Sequence, residues 1–337
     1  MKRAGWYKWI VGWLMLSVGW TVQAQDYTFS NHNIVPFSLN PATVGGAYAV
    51  RFGLNYRLQW PMLSNHYHTV RASWDQNVYK HMCSVGAAYT YDNMADGTFQ
   101  SHEIDVVYGH TIRLTRDQKH FLRLGIQGTL FANFVDFSKM VFTDQLNPYD
   151  GSVYAKTVES FETDSRYFPD FSAGINYLFE HRFNVGFAVY HLAQPDCGFV
   201  ENAEYLPRRY VATIQFTQDL HTSRGLLTYR KSDSYFFANA NYQHQGTKRG
   251  SMYEFKQLYI GAGICFQPII GGVSFRTDFT DLHTVSFMVG GYYKGLQLYY
   301  IFDLYASSKK NGSWSNEISC IYTIPTKKKD LCPVVYW

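Results

Sequence analysis

The chain has 337 residues, among them 28 Tyr, 25 Phe and 8 Trp, while only 17% are charged. That balance excludes disordered and coiled-coil proteins, which are charge-rich and aromatic-poor. A mean hydropathy of −0.24 argues against a bundle of apolar helices about 20 residues long, and a net charge of +4 is too small for a nucleic-acid partner.

Residues 1–24 read as a signal peptide. Lys2, Arg3 and Lys8 form a basic start, Trp9 to Trp20 a short apolar stretch, and Val22-Gln23-Ala24 a small-residue cleavage site. Gln25 rather than Cys follows the cleavage site, so lipoprotein processing is not expected, and the mature chain is nearly neutral. In residues 25–46 the turn formers Pro36, Pro41, Gly45 and Gly46 are interspersed with apolar residues. Two readings stand for this segment: a plug inside the barrel that follows, or a mobile periplasmic tail. Asn40-Pro41 marks a turn leading into the wall in the first case.

Residues 47–325 carry a period of two. Val50, Phe52, Leu54, Tyr56, Leu58 and Trp60 share one face, and Arg51, Gly53, Asn55, Arg57 and Gln59 the other. The same split sets Leu122, Leu124, Ile126 and Leu130 against Arg123, Gln127 and Thr129. Near the end it sets Trp314, Ile318, Tyr322 and Ile324 against Ser315, Glu317, Ser319 and Thr323. The pattern predicts about fourteen strands. Their expected ranges are 48–60, 66–76, 81–92, 101–113, 120–134, 169–180, 182–192, 208–219, 235–245, 255–266, 269–278, 283–293, 295–305 and 314–324.

Strands of this length suit a tilted bilayer crossing of about 9–11 residues. An even number of them after a signal peptide points to an all-β fold, an antiparallel transmembrane barrel of the outer membrane. A soluble sandwich or propeller is the competing fold. In a barrel, Arg51, Arg57, Arg71, Asp75 and Glu103 face the lumen, as do Asp105, Arg123, Arg276, Asp278 and Glu317. Trp60, Trp74, Tyr91, Tyr293 and Trp314, near strand ends, suit the aromatic girdles at the two interfaces. Connections after even-numbered strands are mostly short and read as periplasmic turns, with Leu220 to Ser234 as the exception. The longest connection, Val135 to Phe168, carries Asp136, Asp144, Asp150, Glu159, Glu162 and Asp164 and reads as an acidic outer loop.

Beyond periodicity, specific motifs stand out. Gln25 to Gly45 reads QDYTFSNHNIVPFSLNPATVG, and Asn55 to Pro61 (Asn55, Tyr56, Arg57, Leu58, Gln59, Trp60, Pro61) reads NYRLQWP. The chain resembles the PorP/SprF family of type IX secretion system membrane proteins, whose members share a QD-x-x-FS segment, an LNPA stretch and a YR-x-QW strand. Phe183 to Pro195 is similar to a family strand ending in an HL-x-QP turn, and GSWSNEI, with Glu317, stands where the family often has GSHEI. The resemblance implies a non-enzymatic outer-membrane barrel of Bacteroidota. Its implied partners are the type IX machinery and a secreted cargo with a C-terminal sorting domain, or a gliding adhesin. A porin, or a transporter of hydrophobic small molecules with an N-terminal plug, is the alternative.

Nothing in the sequence points to catalysis. H-E-x-x-H, G-x-S-x-G and G-x-x-x-x-G-K are absent, so no catalytic, cofactor or metal site is expected. Five cysteines without a C-x-x-C pair read as small apolar residues. His66 and His68 share a strand face and read as rim residues without a third ligand. Residues 326–337, with Lys327-Lys328-Lys329, read as a solvated tail or a periplasmic tether.

Overall fold

The computed structural model describes residues 26–46, 49–63, 66–78, 82–117, 119–147, 152–154, 157, 163–180, 182–199, 204–220, 234–246, 255–279, 283–306 and 314–325. The expected signal peptide, the tail at 326–337, residues 221–233 of the Leu220 to Ser234 connection, Asp150, Glu159 and Glu162 lie outside these.

Where the alternation runs, strands form. They are β1 (Ala49–Gln59), β2 (Tyr67–Val78), β3 (Cys83–Met94), β4 (Phe99–Arg113), β5 (His120–Val135), β6 (Ser165–Phe179) and β7 (Phe183–Tyr190). The second half comprises β8 (Arg209–Asp219), β9 (Ser234–Gln245), β10 (Phe255–Phe266), β11 (Ile269–Thr277), β12 (His283–Tyr293), β13 (Leu296–Ala306) and β14 (Trp314–Pro325). Each pairs antiparallel with its sequence neighbours, and β1 also pairs with β14, closing the barrel. Closure leaves no strand edge, which the hydrocarbon core of a membrane would not tolerate.

Outward side chains are apolar all round the wall. Leu54 is 54% exposed, Ile126 62% and Val273 56%, while inward Arg51, Asn55 and Arg57 are buried. An apolar surface encircling the molecule belongs against acyl chains rather than water. That decides against the soluble sandwich or propeller.

Turn chemistry fits the expected parity. The β12–β13 hairpin turns on Lys294-Gly295, both with positive φ (46° and 89°), as a two-residue turn matched to strand twist requires. The β10–β11 turn is Gln267-Pro268, and a short connection joins Phe179 of β6 to Phe183 of β7. The long β7–β8 connection is pinned by an isolated bridge between Asp196 and Tyr205. The end carrying the long connections after β5 and β7 is therefore the outer one.

Three residues depart from the alternation reading. Asp278 lies one residue past β11, half-buried at the outer rim rather than on the lumen face of a strand. Trp60 has a left-handed backbone (φ 54°), which turns its ring onto inward-facing Tyr67 and Tyr305, at 5.4 and 5.9 Å, instead of toward lipid. Pro169 sits within β6, which begins at Ser165. It is tolerated because β7 pairs only with Ala173–Phe179, so one side of the strand is free there. No disulfide joins the four described cysteines, Cys83, Cys197, Cys265 and Cys320.

Candidate functional site

The inward faces of the strands carry buried charge, and cross-strand register sets most of the pairs. Arg51 lies opposite Asp75 and donates through Nε and Nη2 to its two oxygens, each at 2.8 Å. Arg71 reaches across β3 to Asp105 at 2.9 Å, with Glu103 buried two residues along the same face. Arg57 and Arg276 share one oxygen of Asp303, at 3.2 and 3.3 Å. Arg57 also lies opposite Glu317 in the β1–β14 register. Asn55, beside them, donates to Ser319 at 2.7 Å. The other motif residues of β1 behave differently: Tyr56 points outward, its hydroxyl 2.9 Å from Nδ1 of His68, and Gln59, Trp60 and Pro61 lie half-buried at the rim.

Residues 26–46 run among these inward side chains. The guanidinium of Arg57 donates to the Thr28 carbonyl, that of Arg123 to the Val44 carbonyl, and that of Arg276 to the Phe29 carbonyl. In return, the Ser30 amide donates to Glu317 at 2.5 Å and the Gly45 amide to Asp75 at 2.6 Å. The wall's charges thus satisfy the backbone of a segment that has little regular hydrogen bonding of its own. Ile34 packs with Ile270, Met288, Tyr299, Ile301 and Ile321, so the inner face of the β11–β14 wall is apolar at that level.

Asn40 and Pro41 are the hinge of this path. The Asn40 carbonyl side chain caps the short 3₁₀ turn Pro41–Thr43, accepting from the Ala42 amide at 2.9 Å. Its Nδ2 donates to the Ile175 carbonyl of β6 at 3.0 Å. Wall glycines make this approach possible. A Cβ at Gly174 would lie 2.0 Å from Asn40 Oδ1, one at Gly125 2.2 Å from the Ala42 nitrogen, and one at Gly109 2.7 Å from Val44.

The segment's start is held by a cluster that sequence reasoning missed. His191, just past β7, contacts Asp170 through Nδ1 and Asp26 through Nε2, each at 2.8 Å, and Arg209 reaches Asp26 at 3.0 Å. Arg209 also lies over the Tyr190 ring, 4.3 Å from its centroid. Burial opposes the charged form of His191, but Asp26 and Asp170 outweigh it and raise its pKa to about 9. Burial likewise opposes the Asp26 carboxylate, yet His191 and Arg209 hold its pKa well below the usual carboxylate value. The HL-x-QP motif was the available signal, since His191 is its first residue.

A raised histidine pKa stabilises the fold fully below its unfolded value near 6.5, and that contribution is lost as pH rises through about 9. A lowered Asp26 pKa contributes above about 3.8 and is lost on acidification. The thermal midpoint of the barrel in detergent is therefore expected to fall between pH 7 and pH 10, and to fall less in His191→Gln. Parallel pH profiles for the two proteins would contradict the assignment.

Above the segment, at the outer end, lies an open recess with a cavity volume of about 70 Å³. Asp26, Tyr27, Phe29 and Leu39 lie on its floor, and its walls include Glu103, Gln127, Phe131 and Asp170. Among the described residues no group of three or more His, Cys, Asp or Glu is arranged to hold a metal.

A closed barrel of long antiparallel strands, apolar outside and polar within, defines a multi-pass protein of the outer membrane. The description "Type IX secretion system membrane protein PorP/SprF" matches residues 21–322, and the chain belongs to that family. Membership carries association with the type IX secretion machinery. Among solved structures, the chain is similar to the Ralstonia pickettii toluene transporter TbuX, at 11% identity over 86% of this chain and 94% of that one, with a TM-score of 0.50. It is also similar to a Pseudomonas aeruginosa FadL homologue (10% identity, 85% and 92% covered, TM-score 0.45). Acinetobacter baumannii Omp33 is a third (7%, 83% and 100%, TM-score 0.45). At such identities the likeness concerns the fold alone. No curated protein matches the chain.

Proposed function

We propose that this barrel holds a type IX cargo protein with a C-terminal sorting domain, or a gliding adhesin, at the outer membrane, and that residues 26–46 serve as its plug. It performs no covalent chemistry; the barrel is a rigid frame whose outer loops and rim do the binding. One observation carries this reading: wall arginines at three places, Arg57, Arg123 and Arg276, donate to the backbone of residues 28–44. A segment anchored so widely across the lumen suits a scaffold better than a conduit for solutes. The test is deletion of the gene. Secretion of one specific cargo should be lost while uptake of small solutes stays unchanged. Unchanged secretion with altered uptake would instead favour a porin or a transporter of hydrophobic small molecules.

A further inference from the structure

The outer recess is lined by more acidic than basic side chains. Asp26, Asp92, Glu103 and Asp170 line it, against His191 and Arg209 as the cations among its lining residues. Both of those cations are already engaged, His191 by Asp170 and Asp26 and Arg209 by Asp26. Arg71, near Glu103, is paired with Asp105. Two buried acceptors on the walls lack partners: Asp170, 1% exposed, keeps Oδ1 unmatched, and Gln127, 5% exposed, keeps Oε1 unmatched. Buried polar atoms are ordinarily satisfied, and an orphan acceptor in a recess calls for a donor from outside. Phe131 and Phe168 stack beside them, with ring centroids 5.0 Å apart, and offer an aromatic face of the kind that attracts a cation.

We infer that this recess receives a positively charged side chain, a guanidinium or ammonium, from a polypeptide docking at the outer end. The cation donates to Asp170 Oδ1 and Gln127 Oε1, with Asp92 and Glu103 as further acidic side chains of the lining. An anion finds no unengaged cation among the lining residues, and a neutral hydrocarbon leaves both orphan acceptors unmatched. A free metal ion is disfavoured because the carboxylates do not converge into a ligand set. The inference rests on the outer-end docking reading only for the source of the side chain, so binding of a small probe can fail independently of the secretion test.

The probe is Nα-acetyl-arginine amide, titrated by calorimetry into the detergent-solubilised full chain, with Nα-acetyl-citrulline amide as its uncharged near-isostere. A charged donor meeting buried acceptors should give at least about tenfold tighter binding than the citrulline probe. Asp170→Asn and Gln127→Leu should each weaken it several-fold, with a heat-modifiable gel shift confirming a folded barrel. Two variants are used so that misfolding of one leaves the other decisive. Equal binding of the two probes, or unaltered binding in a folded variant, overturns the inference. A free diamine that binds more tightly than the arginine probe overturns the assignment to a polypeptide.

Discussion

Replacing Gly125 by valine should drive residues 40–44 off the wall and leave the barrel closed. Gly125 is on the inward face of β5, and a Cβ there would lie 2.2 Å from the Ala42 nitrogen and 2.3 Å from the Pro41 carbonyl carbon. Both obstacles are backbone atoms, so no side-chain rotation relieves the clash. Overpacking costs about 1–3 kcal/mol where neighbours can shift, and here the upper end applies. The segment is the side that yields, because β5 is held by long ladders to β4 and β6 on its two flanks. Once residues 40–44 leave, Arg123 loses the Val44 carbonyl and Asp75 loses the Gly45 amide. Amide exchange across residues 26–46 should accelerate by orders of magnitude while strand protection is kept. Gly128 on the same strand provides the control: a Cβ there meets nothing within 4 Å, so Gly128→Ala should be silent. Unchanged protection of residues 26–46 in Gly125→Val would refute the packing account.

The wall was legible in the sequence and the lumen was not, for a physical reason. A period of two assigns a side chain to a face from its immediate neighbours, so β10 and β12 run over 255–266 and 283–293 as the alternation predicts. Turn chemistry is equally local, as at Lys294-Gly295. The lumen is made of contacts with no local signature. Ser30 bonds Glu317, Arg57 bonds Thr28, and Asp26 meets His191. Alternation placed Arg57 and Glu317 inward from their own strands, but nothing in those strands names a partner in residues 26–46. Residue type likewise marked Asn40-Pro41 as a turn, but the roles of these four residues follow from where residues 26–46 run. Gly125 and Gly174 gave no signal at all, since a strand glycine is read as weakening the wall rather than as making room. Trp60 failed for the opposite reason: a single left-handed residue ends the alternation, and the side chain it carries changes sides.

Removing Asp303 should be the most costly single change in the charged interior. The carboxylate is fully buried and its Oδ2 accepts from Arg57, Arg276 and the Ser30 hydroxyl, the last at 2.7 Å. Asp303→Ala leaves two buried guanidinium groups sharing what remains: the Thr28 and Phe29 carbonyls, the Tyr305 hydroxyl at 3.1 Å, and the carboxylate of Glu317. An uncompensated buried charge costs about 3–5 kcal/mol, and here one anion serves two cations. Asp303→Asn keeps an acceptor oxygen and loses only the charge, so its loss should be smaller. The pair Lys119–Glu180 shows why distance is not the guide. At 2.7 Å it is shorter than either contact to Asp303, yet Lys119 is 52% exposed, and water replaces the partner when one is removed. Lys119→Ala should therefore leave the urea unfolding midpoint in detergent micelles unmoved, whereas Asp303→Ala should lower it by a large fraction of the total stability. A wild-type midpoint for Asp303→Ala would mean that the Arg57 and Arg276 charges are neutralised by some other route, with Glu317 the first place to look.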